Sequence, residues 1–313
     1  MTMKENEGKH SHFYGKETKC VKIRTFRREK DEEERKISAM NDPFFRQNER
    51  YFTINIPPFS TSKSLVAGMT TRQGGKGTPP FYSFNMASYT GDDETIVYEN
   101  RKLLASDISF PLSQWRGATQ VHGRRLMKVT SDQGSDDRLG LKMIGEADGL
   151  YTTEKNILLV SFYADCVPLF IYVPSRELIG LLHAGWKGTA EQIGPKSIAI
   201  LRKEERIDPS EVHVVIGPAI SHKVYEVDDT VIQKMKAILP PGARAPWTKT
   251  RDSHYLLDLK EMNRLLFLSS GVKKENMAVR QYCTYSEKET FFSYRRDKGH
   301  TGRMMTFIGW KDC

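Results

Sequence analysis

The sequence predicts an α+β protein, a single layered domain in which mixed β-sheets pack against helices. Three observations carry this: strand-length apolar runs bounded by turn residues, apolar residues at helical spacing in separate segments, and no internal repeat or long linker after about residue 50. Asn156–Tyr163 (NILLVSFY), Val167–Val173 (VPLFIYV) and Glu177–Leu182 (ELIGLL) are expected to be buried strands of one sheet. Val212–Ile216 (VHVVI) reads the same way and ends at Gly217-Pro218. A helix is expected after Asp228 and Asp229, which can cap it. Val231, Ile232, Met235, Ile238 and Leu239 then recur at helical spacing until Pro240-Pro241. Leu259, Met262, Leu265, Leu266 and Leu268 mark a second helix, closed by Gly271. A third is expected after Thr189, which stands in capping-box register with Gln192, although Pro195 obscures its start.

The 313 residues suffice to bury a sizeable core. Apolar residues make up 38% and charged residues 28%, with mean hydropathy −0.54, the balance of a soluble globular chain. No apolar run reaches the roughly 18 residues of a membrane span, and the N-terminus lacks a signal-peptide core. Four widely spaced cysteines (Cys20, Cys166, Cys283, Cys313) are no disulfide framework, so a cytoplasmic thiol protein is expected. Net charge is +9, of which the first forty residues supply +3 through eleven Lys/Arg against eight Asp/Glu. That basicity suits anionic ligands such as phosphate, or a merely solvated surface, and no nucleic-acid module accompanies it.

Residues 1–40 carry charge runs such as Arg27–Lys36 and few aliphatics. Such a segment cannot offset its ordering entropy, and it is expected to be a basic, disordered extension before a folded domain over 41–313. Met40 is a candidate start site, and His10-Ser11-His12 lies within the extension.

Three places join a metal-capable side chain to structural punctuation: Gln120-Val121-His122-Gly123, Ala164-Asp165-Cys166-Val167-Pro168, and His183-Ala184-Gly185-Trp186-Lys187-Gly188-Thr189. Two imidazoles and a thiolate are standard zinc donors, and three protein ligands leave a fourth position open. Taken singly, Cys166 reads equally as a core thiol and each histidine as a hydrogen-bonding residue, because the spacings match no finger or HExxH helix.

Further strings extend the pattern in order: Met69–Gly75 (MTTRQGG), Ser83–Met86 (SFNM), Gly91-Asp92-Asp93, Ala147-Asp148-Gly149, Ile216–Ile220 (IGPAI) and Phe291–Asp297 (FFSYRRD). With QVHG, ADCVP and HAGWKG they resemble the laccase-domain family, also called the multicopper polyphenol oxidoreductase or YlmD-like purine nucleoside phosphorylase family. The resemblance runs from about residue 50 to Trp310, and HAGWKG with ADCVP is its most specific part. It implies metal ligands at His122, Cys166 and His183. The chain departs from the family's pattern at Ser221-His222-Lys223-Val224, where members carry a cysteine pair, and at Tyr285-Ser286 after Cys283-Thr284. Those losses weaken a thiol-redox role more than the metal site.

The residues argue against copper oxidation of phenols. A multicopper cluster needs many histidines in His-x-His pairs, and this chain has eight, its only such pair lying in the extension. One mixed nitrogen–sulfur site suits zinc, although copper can occupy it. The resemblance implies phosphorolysis of adenosine, inosine and S-methyl-5′-thioadenosine to base and sugar 1-phosphate, with adenosine deamination beside it. The usual deaminase signature, His-x-Glu with Pro-Cys-x-x-Cys, is absent, so any deamination uses another arrangement. Expected partners are therefore purine nucleosides and phosphate, without nucleic acid or membrane, for a monomer or weak homodimer. Lys187, in a Gly-flanked segment at a helix start, and Arg72 are the candidate phosphate cations, or else surface charges. Asp165 is a candidate orienting group or acid for the departing base, or the cap of the next turn. Arg296 and Asp297 read as a structural ion pair. His222 is placed near the pocket or at the surface. Two classes of rival remain open: another enzyme, either a copper-dependent polyphenol oxidase or a cysteine hydrolase with Cys166 as nucleophile, and a non-enzymatic, cell-envelope-associated binding protein.

Overall fold

The continuous apolar runs of the sequence become strands buried on both faces, which is why they do not alternate with polar residues. A computed structural model describes Met1 and residues 43–312, apart from 63, 137 and 138. The extension over 1–40, with Met40 and His10-Ser11-His12, lies outside the described residues. Pro43–Cys313 forms one unit by its internal contacts.

Strands are numbered in chain order. The first sheet runs β1 (Phe44–Arg46), β2 (Tyr51–Ile54), β3 (Leu65–Thr70), β17 (Met304–Trp310), β9 (Leu158–Tyr163), β4 (Trp115–Thr119), β7 (Lys142–Glu146), β6 (Ser135–Asp136). It is antiparallel except where β4 pairs with β9 and β7. The second runs β16 (Met277–Val279), β12 (His213–Ile216), β10 (Val167–Val173), β11 (Leu178–Ala184), β8 (Gly149–Thr152), β5 (Leu126–Lys128). It is parallel only at its two outer pairs. A small antiparallel sheet joins β13 (Glu226–Asp228), β15 (His254–Leu257) and β14 (Trp247–Arg251).

Strand alternation builds the layers. Along β10, Phe170 and Tyr172 share a core with Leu159, Ile308 and Trp310 of the first sheet. Leu169, Ile171 and Val173 on the other face join Ile198, Leu201 and Leu266 of α3 (Ile193–Glu204) and α5 (Leu259–Ser269). On the far side of the first sheet, Leu158, Val160 and Phe162 pack with Leu104 and Ile108 at α1 (Glu94–Asp107). The order is helix, sheet, sheet, helices. This is the expected α+β layering, with one correction: the strand at 158–163 pairs with β17 and β4, not with β10. The intervening Ala164-Asp165-Cys166 turn carries the chain from one sheet into the other.

The helix after Asp228 is α4 (Asp229–Ile238), capped by the Asp228 carboxylate accepting from Val231 N at 3.1 Å. Asp258 caps α5 through Glu261 N at 2.9 Å. The helix expected after Thr189 differs from the prediction. It begins earlier as α2 (Trp186–Ala190), breaks at left-handed Gln192 (φ 60°), and resumes as α3. Thr189 is no cap; its hydroxyl accepts from Asn263 Nδ2 at 2.9 Å. Pro195 is tolerated because it falls in the first turn, where N–H groups have no helical acceptor. Among the described residues, no helix is long and apolar enough to cross a membrane.

A candidate metal centre at the strand ends

β4 ends at Thr119, yet its seam with β9 continues through one side chain. Gln120 Nε2 donates to Phe162 O at 2.9 Å and its Oε1 accepts from Phe162 N at 2.8 Å. The chain then turns sharply, with His122 in the left-handed region at φ 60°. The buried carboxylate of Asp148 holds this turn, accepting from Val121 N (3.1 Å), His122 N (3.0 Å) and Gly123 N (2.7 Å). The same carboxylate lies 2.8 Å from His183 Nδ1. A carboxylate on Nδ1 fixes that nitrogen as the donor and leaves Nε2 with its lone pair outward, the usual support for a metal-binding histidine.

Cys166 follows the turn between β9 and β10. Its neighbour Asp165 has φ 90° and a buried side chain. The Asp165 carboxylate accepts from Thr284 Oγ1 (2.6 Å), Ser293 Oγ (2.9 Å) and Arg295 N (2.7 Å). Both of its oxygens are engaged, so Asp165 ties the cysteine turn to the 284–295 segment. That geometry fits the orienting role expected for it better than an acid or a cap of the next turn. His183 sits inside β11, which runs two residues beyond the expected strand because it stays paired with β10 as far as Ala184.

Gly185 lets these parts meet. A Cβ there would stand 2.9 Å from Cys166 Sγ and 3.1 Å from His122 Cδ2, too close for any side chain. The ligand atoms of His122, Cys166 and His183 all lie within 4.8 Å of one another. The two imidazoles are 4.7 Å apart at 77°, and Tyr163 packs on His183 while donating to Leu182 O at 3.0 Å. Burial alone would push the Cys166 thiol up; the charge of His183 and hydrogen bonds from both histidines outweigh it and bring it down to about 6. Burial likewise opposes charge on His183, but the Cys166 thiolate and Asp148 raise it to about 9. The sulfur is thus disposed to be a thiolate, the form that ligates metal. Donor types, spacing and the supporting carboxylate fit a single zinc-type ion.

The trio opens on a cavity of about 830 Å³. Asp165 and Lys187 line it; Arg72 does not. The Arg72 guanidinium donates to Tyr82 O and Lys288 O and lies over Phe292 at 4.8 Å, contacts that tie it to the surrounding loops. His222 is at the surface beside Asp258, and Arg296–Asp297 is an ion pair at 2.8 Å. Cys166 and Cys283 are both free thiols. Sequence reasoning missed the part played by Asp148, whose only signal was the Ala147-Asp148-Gly149 string. It also missed Tyr225 and Arg295, which line the same cavity.

Fold and donor set define a layered α+β protein with one three-donor candidate metal centre beside a large cavity. The sequence model of the family described as multi-copper polyphenol oxidoreductase laccase matches residues 66–311, and the chain belongs to that family. Purine nucleoside phosphorylase YlmD of Geobacillus stearothermophilus is 43% identical over 274 residues, 87% of this chain and 99% of that protein. The Bacillus subtilis protein of the same name is 43% identical over 253 residues, covering 80% and 91% of the two chains. The crystal structure of YlmD from Geobacillus stearothermophilus superposes with TM-score 0.82 at 42% identity, covering 87% of this chain and all of that one.

Proposed function

We propose that the chain is a metal-dependent purine nucleoside phosphorylase that holds one zinc ion on His122, Cys166 and His183. It would cleave adenosine, inosine and S-methyl-5′-thioadenosine with phosphate to base and (deoxy)ribose 1-phosphate, with adenosine deamination as a side activity. The name carried by its relatives supports the reading. The observation that carries it is the cavity beside the three donors. Tyr89, Phe162, Trp186 and Tyr294 offer faces for a purine, and Lys187, Arg295 and Arg303 offer positive charge. Its volume suffices for a nucleoside and an anion together.

Zinc so held supplies Lewis acidity beside the cavity. The chain's own residues do the rest. Asp148 keeps His183 in the tautomer that faces the other donors. Asp165 fixes the 293–295 segment against the cysteine turn. Lys187 brings a cation on a flexible stem. In the reaction a phosphate oxygen bonds C1′ as the C1′–N9 bond breaks, the electron pair leaves with the purine, and the proton shed by hydrogen phosphate ends on the base. We place this activity in the cytoplasm, in a monomer or weak homodimer.

A second reading has its own observation. Asp148, His183 and Cys166 stand in the order of an orienting acid, a base and a nucleophile, as a cysteine hydrolase requires. It leaves the second imidazole on the same sulfur, His122, without a task. Hypoxanthine release from inosine, with and without phosphate, tests the choice. Release that requires phosphate and disappears in Cys166→Ala supports the phosphorylase. Turnover indifferent to phosphate sinks it.

A further inference from the structure

Phosphorolysis needs a seat for a phosphate dianion, and Arg72 does not line the cavity. We propose that Tyr225 and Arg295 form the phosphate-binding subsite of this cavity. The inference rests on the phosphorylase reading and names the residues that take its co-substrate.

Tyr225 lies just before β13, is 8% exposed and lines the cavity. Among the described residues its hydroxyl has no hydrogen-bond partner, and it is not one of the polar atoms sealed from solvent. An unpartnered, accessible hydroxyl on a residue that lines the cavity is free to bond what fills it. Burial first, and then the nearby Cys166 and Asp165 charges, push this phenol's pKa well above the ordinary tyrosine value against the pull of Arg295. It therefore stays a donor at neutral pH.

Arg295 supplies the charge. Its guanidinium lies 5.1 Å from the centre of the Tyr225 ring. Its main chain is fixed by the 2.7 Å hydrogen bond to Asp165, and Nη1 donates to Glu226 O at 2.8 Å. A guanidinium has five N–H donors, so anchoring through Nη1 leaves others for an oxyanion. Asp165 is the one carboxylate in the cavity lining, and three donors already occupy its oxygens. Of the other arginines in the lining, Arg101 donates to the carbonyls of Met86 and Leu139, and Arg303, bonded through Nη1 to Thr301 and Gly302, lies by the Tyr89 and Tyr294 rings at 5.9 and 5.7 Å and not by Tyr225. The pairing of a hydroxyl that can donate with a planar fork that can only donate suits a phosphate oxyanion, from inorganic phosphate or from a nucleotide.

The test uses the zinc-loaded full chain and the variants Tyr225→Phe, Arg295→Met and Arg295→Lys. Inosine turnover is followed against phosphate concentration, and calorimetry measures binding of inorganic phosphate and of inosine 5′-monophosphate. The proposal predicts that KM for phosphate rises about 10-fold in Tyr225→Phe and further in Arg295→Met. Arg295→Lys should recover part of the loss. KM for inosine should stay within about 3-fold, since the base is held elsewhere, and zinc content should not change. Unchanged KM for phosphate overturns the proposal, as does a parallel rise in both KM values with loss of zinc, which marks a structural role. Monophosphate binding that collapses in the variants while KM for phosphate stays put also overturns it, in favour of a nucleotide's phosphate. If the wild type shows no phosphate-dependent turnover, the phosphorylase reading fails. Calorimetric phosphate binding weakened by the variants would then still uphold the subsite, and no phosphate binding at all would end both.

Discussion

Asp148 is the residue on which the candidate centre turns. One buried carboxylate receives three consecutive main-chain N–H groups and the Nδ1 of His183, so it positions two of the three donors at once. Replacing it with alanine should leave the three ligands in the sequence but lower zinc affinity by about 10- to 100-fold, read by competition with a chelator. Affinity within about 3-fold of wild type would show that the turn holds itself. Gly185→Ala tests the close approach: its Cβ, 2.9 Å from Sγ, must displace Cys166. Zinc and turnover should both be lost while the circular dichroism of the fold remains; retained zinc contradicts the packing argument. The donors themselves were legible, because His122, Cys166 and His183 each sit in a specific string. Their helpers were not, since an aspartate and a tyrosine far apart in sequence reveal nothing until the sheets bring them to one cavity. Nor does a cation beside glycines reveal from sequence that Arg72 bonds the carbonyls of Tyr82 and Lys288.

Elements were readable where one face is apolar. α4 followed from apolar spacing behind an aspartate cap and α5 from leucine and methionine spacing closed by Gly271, and the structure places both where expected. α1 escaped because its buried face is Val97, Asn100, Arg101 and Leu104, half of it polar, so no apolar stripe marks it. Asn100 and Arg101 face inward to bond main-chain carbonyls of the loops above the first sheet, including those of Ser83, Asn85 and Met86. The start of α1 depends on Asp93, whose carboxylate accepts from Thr95 N at 2.7 Å. Asp93→Ala should cost about 1 kcal/mol in urea unfolding with turnover unchanged. A loss of activity at unchanged stability would mean that α1 acts on the cavity and not only on the fold.

For the whole unit from Pro43, the sequence disclosed layers of sheet and helix but not how the sheets divide. Runs buried on both faces look alike whichever sheet they join, so the strand at 158–163 was placed with β10 and β11 when it belongs across the interface. The interface itself is a stability prediction. Phe170, fully buried between the sheets, packs edge-on against Phe44 at 5.8 Å. Phe170→Ala should destabilise by about 3–5 kcal/mol, and a cost below about 1 kcal/mol would contradict tight packing between the layers. The candidate centre depends on that interface, because Cys166 lies where the chain crosses from the first sheet to the second and His183 sits one residue from the end of a strand of the second. The central claim, that these donors hold one zinc ion, is tested most directly by counting zinc per chain in wild type, Cys166→Ala and Cys283→Ala. The account predicts one ion in the wild type and in Cys283→Ala, and none in Cys166→Ala. A full complement of zinc in Cys166→Ala, or an active wild type without metal, would contradict it.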